Sequence, residues 1–68
     1  MEILNPLYLT EVQVSQMTQI ALSTLRNQRF EKKGIPYYKV GLGRSVRYKL
    51  SDVTLFMERG RIETGVGI

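Results

Sequence analysis

Cysteine and histidine are both absent from this 68-residue chain. The usual zinc ligands and the commonest proton-transfer side chain are therefore missing. The carboxylates Glu11, Asp52 and Glu58 are too scattered to form an acid–base pair. No active site, metal site or cofactor is expected. The chemistry that remains is cationic. The stretch "RSVRYKLSD", residues 44–52, carries Arg44, Arg47 and Lys49 and no acid before Asp52. From Arg26 to Lys49 stand eight cations (Arg26, Arg29, Lys32, Lys33, Lys39, Arg44, Arg47 and Lys49) against one acid, Glu31. The rest of the chain carries two cations and five acids. A charge divided in this way suits a polyanionic partner: nucleic acid first, an anionic membrane surface second.

The elements that must hold these cations are legible from period and punctuation. Thr10 followed by Gln13 forms a capping box, with Glu11 favourable near the positive end of a helix dipole. Val14 and Met17, with Leu9 or Leu7 ahead of them, give that helix one apolar face, and it should end near Thr18-Gln19. Ile20, Leu22 and Leu25 restart the apolar pattern after one short turn. With Leu25 at the buried centre of the second helix, Ser23 and Asn27 fall nearly opposite, and Thr24 and Arg26 on the flanks. This helix should stop near Glu31 to Lys33, with Gly34 as its cap and Pro36 blocking continuation.

The period then changes to two. "YYKV" separates Tyr38 and Val40 from Tyr37 and Lys39. "SVRYKL" separates Val46, Tyr48 and Leu50 from Ser45, Arg47 and Lys49, and the glycines of "GLGR" supply the turn. Ser51 is the expected N-cap of a third helix that returns Val53, Phe56 and Met57 to the core. Helix, turn, helix, basic hairpin and helix make an α+β fold, mainly α, of winged helix–turn–helix type. Residues 1–8 form a lead-in, 9–58 the domain and 59–68 a glycine-rich flexible tail. No apolar run approaches the roughly 20 residues that span a bilayer. The N-terminus does not read as a secretory signal. A cytoplasmic, nucleoid-associated protein is the expectation.

Four stretches, "YLTEVQVSQM", "STLRNQR", "GIPYYKVG" and "GRSVRYKLSDV", resemble the excisionase and AlpA-type regulators of phages and mobile elements, distant relatives of MerR DNA-binding domains. The family's second helix reads like S-T-L-R-N-W-R and its wing like P-Y-x-K-x-G-R-x-V-R-Y. The resemblance runs from Leu9 to Met57, and its most specific part is "SVRYKLSDV". The chain departs from the pattern at Gln19, where the family usually has glycine, at Ala21, often serine, and at Gln28, usually aromatic. Its "GLGR" turn also reads as a residue longer than the common form. A MerR-type regulator continues into a long dimerisation helix, whereas this sequence runs only about ten residues past the third expected helix. The short excisionase/AlpA branch is therefore the nearer likeness.

The resemblance implies a non-catalytic, sequence-specific protein for double-stranded DNA, serving excision or transcriptional regulation. An integrase (recombinase) or RNA polymerase is its implied partner. The chain would act as a monomer or in side-by-side assembly on DNA. On the second helix Ser23, Thr24, Arg26, Asn27 and Arg29 are the candidates for base edges, arginine gripping guanine and asparagine adenine. On the hairpin Tyr37, Lys39, Arg44, Ser45, Arg47 and Lys49 are the candidates for the sugar-phosphate backbone or the minor groove. The plainer readings are a solvated helix face and a charged edge strand that resists aggregation. Two other function classes stay open. One is an RNA- or single-strand-binding module, for which only Tyr37 stands out as an exposed sheet aromatic. The other is an adaptor whose hairpin holds an acidic protein.

Overall fold

The computed structural model of the chain describes residues 7–65. Three helices and a three-stranded antiparallel sheet make a small α+β fold. In chain order they are β1 (Tyr8–Leu9), α1 (Glu11–Thr18), α2 (Leu22–Phe30), β2 (Tyr38–Val40), β3 (Ser45–Lys49) and α3 (Leu50–Arg59). β3 is the central strand, with β1 and β2 antiparallel on either side. No helix among the described residues is long and apolar enough to cross a membrane.

Local chemistry explains the helix boundaries. Thr10 Oγ1 accepts from the Gln13 backbone N–H at 3.1 Å, and the Gln13 side chain accepts from the Thr10 N–H at 2.9 Å, completing the capping box. α1 ends at Gln19, which takes a left-handed conformation (φ 64°). The turn that follows is held by side chains. Ser15 Oγ donates to the Ile20 carbonyl at 2.6 Å, and Thr18 Oγ1 accepts from the Ile20 N–H at 3.2 Å. Ala21 then opens α2 with no side-chain cap.

The core consists of Leu9, Val14, Leu25, Ile35, Tyr48 and Val53. Each helix fully buries one residue, and Ile20, Tyr37, Val46, Leu50 and Phe56 pack around the six. So small a core corrects two expectations. Met17 and Met57 lie on the flanks of their helices, about half exposed, because there is no second layer to cover them.

Three boundaries also differ from the expectations above. β1 is a strand where a lead-in was expected through residue 8. α2 stops at Phe30, and Lys32 rather than Gly34 takes the left-handed position past its end (φ 58°). The Lys32 N–H donates to the Arg29 carbonyl and the Lys33 N–H to the Gln28 carbonyl, the pair of bonds of a Schellman ending. Gly34 has another use. A Cβ there would stand 2.6 Å from Gln28 Oε1, so glycine admits the Gln28 side chain.

α3 begins at Leu50, two residues early, with Lys49 at the cap position and Ser51 exposed inside the helix. The reason is the sheet: the Leu50 N–H donates to the Leu7 carbonyl at 2.9 Å. Past Gly60, residues 61–65 form no helix or strand, and the remainder of the expected tail lies outside the described residues, as do residues 1–6 of the lead-in.

Candidate nucleic-acid interface

Cross-strand register fixes which hairpin side chains share a face. Tyr38 pairs with Arg47, Lys39 with Val46 and Val40 with Ser45, while Tyr8 pairs with Lys49 and Leu9 with Tyr48. One face of the sheet therefore carries Leu9, Val46 and Tyr48 and packs on the helices. The other carries Tyr8, Lys49, Arg47, Tyr38, Val40 and Ser45. Arg47 and Lys49 thus stand together on the outer face. Lys39 is exposed but on the opposite face from Arg47, so the structure does not unite the hairpin cations as one row.

Between the two strands the chain turns through 41–44, with both glycines at positive φ (65° and 82°). At the tip Leu42 is 94% exposed, in contact with nothing that would keep it from water. Arg44 and Ser45, both exposed, follow it.

On α2, Ser23, Thr24 and Asn27 are exposed. The two arginines are not equivalent. Arg26 is more than half exposed, and its Nη2 meets Glu11 Oε2 at 2.7 Å. Arg29 is only 16% exposed and turned inward. It donates from Nη2 to Glu11 Oε1 at 2.9 Å and from Nη1 to the Tyr48 hydroxyl at 2.6 Å. Its guanidinium also lies 5.8 Å from the ring centre of Tyr37 and 5.9 Å from that of Tyr48. Arg29 thus joins α1, α2 and β3, and Tyr37 packs beside it against the core. The place of Arg29 was written in the sequence, since it follows Leu25 by four residues, about 40° from the buried direction of the helix.

Glu11 was singled out only for its place near the helix start, yet it organises this region. The Arg26 hydrogen bond holds its carboxyl below the usual carboxylate range, against the opposing effect of burial and with help from Arg29. A cleft of about 320 Å³ opens beside it, lined by Thr10, Glu11, Val12 and Arg29 on one side and Arg44 to Arg47 on the other. The start of α1, the inner end of α2 and the start of β3 thus meet at one place, with four arginines in or next to it and a single carboxylate already paired. Such a surface is net cationic, and its bonds hold the polar face of α2 at a set distance from the hairpin.

Sequence reasoning missed the aromatic side chains of the outer sheet face. Tyr37 faces inward, while Tyr8 and Tyr38 are the exposed pair, their rings edge to face at 5.6 Å. Period two had placed Tyr37 and Tyr38 on opposite faces, but only the pairing of Tyr38 with Arg47 says which of them is outside. Among the described residues no cluster of carboxylates could hold a metal ion. Comparison of the chain with models of protein families, with curated proteins and with solved structures returns no match.

Proposed function

We propose that this chain is a winged helix–turn–helix protein that binds double-stranded DNA in a sequence-specific manner and catalyses nothing, in the manner of excisionases and AlpA-type regulators. α1, the turn and α2 are the helix–turn–helix, and β2–β3 is the wing. Ser23, Thr24 and Asn27 of α2 enter the major groove with Arg26 beside them. Arg44, Arg47 and Lys49 grip the neighbouring backbone. Leu42 is a large apolar side chain of no use to the fold, the kind of residue a wing carries into a minor groove.

The observation that carries this reading is the cleft at Glu11, where Arg29 of α2 and Arg44 and Arg47 of the hairpin come together. Arg29, bonded to both α1 and β3, sets the separation of helix and wing, as two elements that must dock on one duplex require.

The test compares two variants on a duplex selected from a random library. Asn27→Ala should erode discrimination between selected and unrelated duplexes by roughly 1–3 kcal/mol. Arg47→Ala should weaken binding to both and make log K against log salt shallower by about one unit. The reverse pattern would exchange the roles of helix and wing. Equal loss of binding to every sequence from both variants would count against sequence reading by α2.

A further inference from the structure

The outer sheet face is not used by the duplex reading beyond its cations. Its central strand presents Arg47 and Lys49, and the strands on either side present Tyr38 and Tyr8 directly opposite them. The two rings lean over β3 to meet at 5.6 Å and 89°, although β1 and β2 lie on opposite sides of that strand. Each remains nearly half exposed. In an edge-to-face pair the ring that stands edge-on keeps both its faces free, and its neighbour keeps one. A groove of about 430 Å³ lies here, lined by Tyr8, Tyr38, Val40 and Arg47. A protein that needed only solubility on this strand would not set two aromatic rings around its cations, since exposed apolar surface works against that end.

We infer that this face is a second nucleic-acid site, which takes single-stranded DNA by stacking unpaired bases on Tyr8 and Tyr38 while Arg47 and Lys49 meet its phosphates. Exposed rings beside cations are the two parts such recognition needs, and it tolerates any base because every base has a π-face. Charge decides the class of partner, because Arg47 and Lys49 call for a polyanion and the rings call for a polyanion that carries planar groups. Continuity decides for DNA: Arg47 lines both this groove and the cleft at Glu11. A strand unpaired from a distorted duplex would pass from one to the other without leaving the protein. The choice of DNA rests on the duplex reading, whereas the stacking of unpaired bases does not, and either can fail alone.

The test titrates the full chain with labelled decathymidylate, with an abasic oligonucleotide of the same length, with decauridylate and with duplex. Decathymidylate should bind about tenfold or more tightly than the abasic strand, by the usual worth of base–aromatic stacking. The ring proton signals of Tyr8 and Tyr38 should move upfield on binding thymidylate and stay in place with the abasic strand. The double variant Tyr8→Ala/Tyr38→Ala should lose that preference while keeping duplex affinity within about twofold. Tyr8→Phe/Tyr38→Phe should retain the preference, which separates stacking from any effect of alanine on folding. Equal binding of thymidylate and abasic strands, or no binding of thymidylate, would overturn the inference. Tighter binding of uridylate than thymidylate would overturn the assignment to DNA. Thymidylate binding without duplex binding would remove the proposed function and leave this site standing.

Discussion

Arg26 and Arg29 stand nearly one turn apart on α2 and share one carboxylate, yet the fold uses them differently. Arg26 keeps its guanidinium at the surface. Among the described residues Arg29 supplies the only side-chain bond to the buried Tyr48 hydroxyl, and it makes one of the bonds that hold Glu11. Removing it strands a buried hydroxyl and half frees a carboxylate. Arg29→Ala should therefore lower unfolding free energy by about 2 kcal/mol, read by urea denaturation. Arg29→Lys should not restore it, because one ammonium does not span the two acceptors as the planar fork does. Glu11 adds a pH dependence. A carboxyl held below its ordinary value stabilises the fold only while ionised. The contribution is complete above the ordinary carboxylate range and is lost as pH falls through the lowered value. Thermal melts of the wild-type protein should thus fall on acidification below about pH 4.5 more steeply than those of Glu11→Gln.

Elements written in local chemistry were legible, and those written by distant pairing were not. Thr10 and Gln13 announced α1 because a capping box needs only neighbouring residues. β1 gave no such sign, since two residues, Tyr8 and Leu9, have no period and owe their strand to β3, forty residues away. Gly34 was taken for the cap of α2 on its residue type, but the backbone hydrogen bonds place the left-handed residue two positions earlier, at Lys32. Ser51 was passed over as a cap because the sheet had already satisfied the Leu50 N–H. Ala21 is the clearest weakness: α2 begins with no side-chain acceptor for its first free N–H groups. Ala21→Ser should stabilise the protein by about 1 kcal/mol. That gain corresponds to a rise of roughly 4–8 °C in Tm for a domain of this size, measurable by circular dichroism.

At the scale of the molecule a core of six buried residues, among those described, is joined to a surface whose cations gather on α2 and the hairpin. The candidate site was half legible. Exposed Ser23, Thr24 and Asn27 follow from their angle to Leu25, and the outward turn of Arg47 and Lys49 follows from period two. Glu11 was not legible as a partner of Arg26 and Arg29, because fifteen and eighteen residues separate them and only the packing of α1 on α2 closes the gap. With that contact Arg26 and Arg29 of the helix lie beside Arg44 and Arg47 of the hairpin. The most direct test of its purpose is the salt dependence of duplex binding by the wild-type chain, measured by fluorescence anisotropy. If Arg26, Arg44, Arg47 and Lys49 all meet the duplex, three or four phosphates are neutralised, and log K should fall with log salt at a slope of about −3 to −4. A slope near zero, or no preference for duplex over a neutral polymer at low salt, would contradict the account.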